Sequence, residues 1–328
     1  MLKTRTTMAR SALAVVAALA FSTNSALAEG DHIVIKRNTW SFGAMFGQYD
    51  KNQLQRGFQV YRDVCSSCHG LNRIAFRNLA QPGGPEFPEA AVKALAKEYE
   101  VKQPPNDDGE VVLGPAKLSD YFPPLYENEN AARATHNGAL PPDLSLIAKA
   151  RSVAYSGSWY AHPYSMVKDI LSSYQEGGAD YLVALLSGYS TPTAYVRDDK
   201  GHLKPAGDKT GDGVVQCISV VHGEHGKPDV CNKLAEGMNY NKSFVGHQIA
   251  MANPFDGHEP DSPRVIYQDG TKPTIENYAK DVAAFLSWAS DPSLNGRKQT
   301  GWLVLVYLLI TSVLLYVAKR RIWSGVKH

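Results

Sequence analysis

Residues Gly301 to Ala318, GWLVLVYLLITSVLLYVA, run for eighteen positions without a charged side chain. As a helix this stretch rises about 27 Å, close to the hydrocarbon thickness of a bilayer. A core helix of a water-soluble domain would show a polar face, and this segment has almost none. Trp302 stands at one rim, with Tyr316 and Trp323 near the other, the arrangement of an aromatic belt. Lys319, Arg320, Arg321 and Lys327 follow the run, whereas only Arg297 and Lys298 closely precede it. The basic excess assigns the C-terminus to the cytoplasm. The spacing predicts an anchor helix over 299–319 and a short tail over 320–328.

The other end agrees. Lys3, Arg5 and Arg10 form a basic start, Ser11 to Phe21 an apolar stretch, and Ala26-Leu27-Ala28 a small-x-small cleavage site. This is the pattern of a secretory signal over 1–28, and its apolar part is too short to span a bilayer. What remains, 29–298, is about 270 residues, within reach of one domain on the outer side of the membrane. Loss of the three basic residues leaves 31 bases against 32 acids. With 44% hydrophobic and 20% charged residues, the chain is neither disordered nor disulfide-dense. Near-neutral charge argues against nucleic acid as a partner.

The chemistry is concentrated at Val64-Cys65-Ser66-Ser67-Cys68-His69-Gly70. Two thiols three residues apart reach the two vinyl groups on one edge of a porphyrin, and the adjoining histidine turns beneath the ring to ligate iron. Cys-x-x-Cys-His is the attachment signature of a c-type haem. A thioredoxin-like pair needs no following histidine. A zinc site would need a second Cys-x-x-Cys, which Cys217 and Cys231 are too far apart to supply. Leu54, Phe58 and Tyr61 lie at helical spacing in the segment leading to Val64, predicting a helix that runs into the motif. A second amphipathic helix is predicted over Ile275–Ala289, with Tyr278, Val282, Phe285, Leu286 and Trp288 on its apolar side.

An electron carrier needs a sixth iron ligand, and a thioether raises the potential by favouring ferrous iron. Beyond the signal only Met45, Met166, Met238 and Met251 remain. Met251 lies in Ile249-Ala250-Met251-Ala252-Asn253-Pro254-Phe255, where proline would stiffen a loop, but spacing alone leaves His136, His162 and His247 as competitors. Cys217 and Cys231, in an oxidising compartment and without other partners, are expected to form a disulfide closing a loop of about 15 residues.

Several segments together resemble the cytochrome c1 family, the haem subunits of quinol–cytochrome c oxidoreductases. They are Arg56-Gly57-Phe58-Gln59-Val60-Tyr61 with the haem motif, Asn137-Gly138-Ala139-Leu140-Pro141-Pro142-Asp143-Leu144-Ser145, and Ala148-Lys149-Ala150-Arg151. Gly177-Gly178-Ala179-Asp180-Tyr181, Ile249-Ala250-Met251, Tyr267-Gln268-Asp269-Gly270-Thr271 and Lys280 to Ala289 complete the series, in family order. The resemblance implies a mainly α, cytochrome c-like haem domain with loop excursions and one C-terminal transmembrane helix. It implies one covalent haem c on Cys65 and Cys68, with His69 and Met251 as axial ligands. Pro142 would pack on the proximal side, and Arg151 and Tyr181 would meet a haem propionate. Where the family often has the first of two prolines after the distal methionine, this chain has Asn253. Residues 152–176 and 198–241 are extra material, the first aromatic-rich, the second polar and read as a loop excursion in which His222 and His225 invite a comparison with metal sites.

The expected function is electron carriage, in which the chain itself makes and breaks no substrate bond. By resemblance the haem takes an electron from the Rieske iron–sulfur protein and passes it to a soluble or tethered cytochrome c. Cytochrome b lies beside the anchor in a dimeric complex of the inner membrane, with the haem domain in the periplasm. The competing class is a membrane-tethered monohaem cytochrome serving another reductase or a terminal oxidase, which shares the signal, motif and anchor but not the NGALPPDLS and IAM segments. Acidic stretches at Asp107-Asp108-Glu110 and Glu127-Asn128-Glu129 are candidates for steering a basic partner.

Overall fold

A computed structural model describes residues 33–325, apart from 34, 153–162, 165–166, 168–174, 208–212, 224–226 and 260. The expected signal at 1–28, most of the aromatic-rich stretch 152–176, His162, Met166 and His225 lie outside the described residues.

Helix α1 (Lys51–Val60) begins where the Asp50 carboxylate accepts a hydrogen bond from the Gln53 N–H at 2.9 Å, satisfying a free donor of the first turn. Leu54, Gly57, Phe58 and Val60 are buried, as the helical spacing of this segment predicts. The helix then widens into one π turn, Tyr61–Cys65, closed by the Ser66 N–H on the Tyr61 carbonyl at 2.8 Å. After α2 (Glu89–Ala96), the pair β1 (Glu100–Lys102) and β2 (Leu113–Pro115), and the short helices α3 (Glu129–Thr135) and α4 (Ile147–Ala150), comes α5 (Gly177–Leu186). Helix α6 (Ile275–Ser290) is the centre of the core. Its Tyr278, Val282, Phe285 and Trp288 are fully buried, and α1, α4 and α5 all pack against it.

Close approach is built in by glycine. A Cβ at Gly57 would stand 2.1 Å from the Asp281 carbonyl oxygen, so α1 and α6 cross at backbone contact there. Phe58 and Tyr61 flank the crossing with ring centroids 5.5 and 6.0 Å from that of Phe285. Gly178 does the same for α5 against α4, where a Cβ would lie 1.7 Å from the Ala148 carbonyl oxygen. Beside the α1–α6 crossing the Arg56 guanidinium donates to Asp281 at 2.8 and 3.2 Å and to Asp269 at 2.7 Å. The Thr271 N–H together with Arg56 holds the Asp269 carboxyl down to about 2. A carboxyl depressed in the folded state contributes stability that is complete above about pH 4 and fades as pH falls towards that lower value. Acid titration followed by circular dichroism should therefore show Asp269→Asn flattening the loss of stability below pH 4 relative to the parent chain.

Residues 198–241 depart from the loop expected of them. Three antiparallel strands, β3 (Thr193–Arg197), β4 (Leu203–Pro205) and β5 (Val214–Cys217), pair in the order β4-β3-β5. A hairpin of β6 (Ser219–Val221) and β7 (Val230–Asn232) follows, and then β8 (Asn239–Tyr240) pairs with β9 (Gln248–Ile249). The strands are too short to show a period of two in sequence, and their Gly-, Asp- and Lys-rich turns dominate the composition. The expected disulfide is present, and Cys217–Cys231 ties β5 to β7. Asp229, buried beneath this unit, accepts from the Leu203 and Gly223 N–H groups and from Nδ1 of His202 and His222. His222 is thus a partner of a carboxylate, and among the described residues no group of three ligating side chains could hold a metal ion. Cys217→Ser with Cys231→Ser should cost about 3 kcal/mol in denaturant unfolding by the loop-closure argument. Thiol labelling of the denatured, non-reduced parent should find neither cysteine reactive.

Helix α7 (Leu294–Trp323) carries the apolar run, exposed along its length, and is long and apolar enough to cross a membrane. Its first turn is tied to the domain. The Arg297 guanidinium donates to both oxygens of Asp291 at 2.8 and 2.6 Å.

Candidate functional site

The π turn delivers the chain into the Cys-x-x-Cys-His motif. The N–H groups of Cys68 and His69 both donate to the Cys65 carbonyl, at 3.2 and 3.0 Å, folding the motif into one tight turn. The Tyr61 hydroxyl donates to the His69 carbonyl at 3.1 Å, so the end of α1 grips the histidine's backbone. π turns of this kind recur at functional sites because they redirect a side chain without ending the helix. Cys65 and Cys68 take part in no disulfide, in contrast to the bonded second pair. Burial, with Cys68 adding to it, pushes the Cys65 thiol up to about 12.

A strap over Pro141–Ser145 laces onto this turn. The Pro142 carbonyl lies 2.7 Å from His69 Nδ1. A carbonyl only accepts, so Nδ1 carries the proton and Nε2 is the nitrogen available to a metal. The Leu144 N–H donates to the Gly70 carbonyl at 2.9 Å, the Asn72 N–H to Asp143 at 2.8 Å, and the Arg73 N–H to the Ser145 hydroxyl at 3.0 Å. Asp143 also accepts from the Ser145 N–H at 2.9 Å, closing its own turn. Burial holds the His69 imidazole below its ordinary value, against the opposing pull of the Pro142 carbonyl, which keeps it neutral as a metal ligand must be. His136, at the end of α3, sits near enough to add to that lowering, and its Nε2 is 2.6 Å from the Tyr126 hydroxyl.

Asp143 is the residue that reading by type misses. Its signal is an Asx turn after two prolines, Pro141-Pro142-Asp143 with Ser145 two positions on. Asp143→Ala should cost about 1 kcal/mol in thermal or denaturant unfolding, because two N–H groups lose their acceptor. Asp143→Asn, which keeps one acceptor oxygen, should cost less.

The remaining predicted residues come from other elements. Arg151 follows α4 and is exposed, and Tyr181 lies buried on α5. The two helices abut at Gly178, bringing Arg151 close enough that its charge works against the burial that raises the Tyr181 hydroxyl. Met251 follows β9, half-buried, and the Tyr189 hydroxyl donates to its carbonyl at 3.0 Å. Asn253, in place of a family proline, accepts the Phe255 N–H at 3.0 Å on its side chain, an Asx turn that stiffens the loop by other means. Of the rival histidines, His136 is engaged by Tyr126 and His247 packs on the Tyr240 ring at 5.8 Å. A groove of about 500 Å³ between α1 and α2, lined by Arg56, Phe58, Phe87, Leu95 and Asp269, contains none of the predicted site residues.

The donor set fits a covalently attached haem: two cysteines outside any disulfide and a histidine on one turn, with Nδ1 fixed by a backbone carbonyl. The cytochrome C1 family model matches residues 40–326. A cytochrome c1 of Blastochloris viridis is 41% identical over 291 residues, covering 88% of this chain and 86% of the relative. A cytochrome c1 of Rhodospirillum rubrum is 34% identical over 323 residues, covering 98% and 100%. A longer protein of Bradyrhizobium diazoefficiens named cytochrome b/c1 is 40% identical over 288 residues, 88% of this chain but 35% of that relative, so the chain spans about a third of its length. The matched stretch takes in the haem-motif turn, the Pro141–Ser145 strap, Met251 and the apolar helix, and the chain belongs to the cytochrome c1 family.

Proposed function

We propose that this chain is the electron-carrying subunit of a quinol–cytochrome c oxidoreductase, holding one haem c and passing single electrons from the Rieske iron–sulfur protein to a soluble or tethered cytochrome c. Family membership brings a covalently bound haem c. When bound, that group supplies a one-electron redox centre, and the chain's residues attach it, orient it and set its potential. Cys65 and Cys68 attach it. His69 supplies the proximal nitrogen, oriented through Nδ1 by the Pro142 carbonyl, an outer contact of the kind that fixes tautomer and ring angle. Met251 would supply a thioether to the iron, from a loop whose backbone Tyr189 pins. Arg151, close enough for its charge to act on Tyr181, would offer its guanidinium fork to a haem carboxylate.

The observation that carries this reading is the 2.7 Å contact of His69 Nδ1 with the Pro142 carbonyl, which leaves Nε2 for iron directly after two cysteines outside any disulfide. Cytochrome b is placed beside α7, a reading supported by the relative whose printed name joins cytochrome b and c1 in one chain. The signal-like start and the bases after the apolar run support a haem domain in the periplasm, a C-terminus in the cytoplasm and a single inner-membrane span. Rapid mixing of the purified complex with quinol tests the electron path. The c-type band should reduce only when the Rieske protein is present and reoxidise on addition of soluble cytochrome c. Reduction at an unchanged rate without the Rieske protein would contradict the path.

A further inference from the structure

Where α7 enters its apolar run, a second apolar element stands beside it. The loop Ser41–Gln48 contains no charged residue. Its two ends are held in the core, since Phe42 is 1% exposed and Tyr49 is buried against it with ring centroids 4.8 Å apart. Between them Met45 and Phe46 project outwards, 44% and 65% exposed. The Phe46 ring meets the edge of Trp302 at 5.3 Å and 80°, and Trp302 is the aromatic residue at the outer rim of the apolar run. Lys298, one turn before Trp302, spends its ammonium on the loop itself, donating to the carbonyls of Phe42 and Ala44, the latter at 2.7 Å. Ala44 has a positive φ of 58°, so the loop's shape is an uncommon one that this latch maintains. A groove of about 380 Å³ lies between loop and helix, lined by Met45, Phe46, Lys298, Trp302 and Leu303.

A charge-free loop that turns a phenylalanine and a methionine to the outside is costly in water and favourable at the headgroup boundary, where Trp302 already sits. We propose that Met45 and Phe46 form a second membrane contact, entering the interfacial layer of the outer leaflet beside Trp302. The occupant of the groove and of the apolar loop tip is then the lipid surface, continuous with the lipid around α7. Two points of attachment, linked by Lys298, keep the haem domain from swivelling on its anchor. This inference rests on the reading of α7 as a membrane span.

The test is nitroxide depth measurement on the full chain in its complex, reconstituted in phosphatidylcholine vesicles. Phe46→Cys, Leu309→Cys and Asp107→Cys each present one reactive thiol, because Cys217–Cys231 is bonded and Cys65 and Cys68 carry haem in this reading. Relaxation by oxygen reports lipid, and relaxation by a water-soluble nickel chelate reports solvent. The label at 46 should show an oxygen-to-chelate ratio several-fold above that at 107 and approaching that at 309, and Met45→Cys should match it. A lipid-like ratio at 309 with a ratio at 46 equal to that at 107 would overturn the contact and leave the span intact. Shielding of 46 from both probes would overturn it too, since protein would then cover the loop. A solvent-like ratio at 309 would refute the span itself.

Discussion

Met251→Ala should lower the midpoint potential of the c-type haem by on the order of a few hundred millivolts, within the range that axial ligands command. A thioether is a soft ligand that favours ferrous iron, and alanine supplies no replacement. The reduced variant should also bind carbon monoxide, which a parent with both His69 and Met251 on the iron would exclude. The fold should survive, because Met251 is only half-buried and its loop is held by other groups: the Tyr189 hydroxyl on the Met251 carbonyl and the Asn253 side chain on the Phe255 N–H. Quinol-driven reduction would slow in the assembled complex, since the acceptor would lie below the Rieske centre. An unchanged potential with no carbon monoxide binding would remove Met251 from the ligand set and return the question to the histidines.

Gly57→Ala should strongly destabilise the domain, because it adds a methyl group where α1 and α6 cross. The added carbon would stand 2.1 Å from the Asp281 carbonyl oxygen and 2.6 Å from the Phe285 Cβ, neither of which is a flexible chain end. The helices must separate, and with them the Phe58–Phe285 and Tyr61–Phe285 contacts and the fork of Arg56 on Asp281. Overpacking typically costs 1–3 kcal/mol, and about 3 kcal/mol or more is expected here because backbone blocks the relief. Tyr61 holds the His69 carbonyl, so the damage should reach the haem site as lower haem content in the purified chain. A half-buried control in the same helix, Gln59→Ala, should cost far less. It loses one exposed contact, from the Gln59 side chain to the Ile266 carbonyl.

How much of this was legible in residue types follows from what each feature depends on. The Cys-x-x-Cys-His motif and the apolar run are local patterns, and the structure makes a tight turn of the first and a helix of the second, α7 extending a few residues beyond the run at each end. The α6 boundaries, Ile275–Ser290, match the predicted Ile275–Ala289 almost to the residue because one face is apolar throughout. Pro142 was legible only as a neighbour of the haem. Its contribution comes from a backbone carbonyl, which any residue possesses, so residue type could not announce the contact to His69 Nδ1. Gly57 reads in sequence as a weak point of a helix, and only the second helix shows it to be a crossing point. Asp180 sits within a family segment, yet its job is non-local. It accepts from the Asn38 backbone and side chain, from Trp40 Nε1 and from Gln175, tying the N-terminal stretch to α5. The strands of 193–249 escaped because strands of two to five residues carry no readable period, and Asp229 beneath them gathers donors from two separate segments, 202–203 and 222–223.

The central claim is a covalent c-type haem on Cys65 and Cys68 in a chain that works beside cytochrome b. It is tested most directly by a reduced-minus-oxidised spectrum of the tagged chain, gently extracted from native membranes, with haem staining of the same sample on a denaturing gel. The account predicts a c-type band with b-type bands beside it and one haem retained on this chain after denaturation, lost in Cys65→Ala with Cys68→Ala. A c-type band that persists alone across milder detergents would contradict the assignment to the quinol-oxidising complex, and the absence of covalent haem would contradict the site.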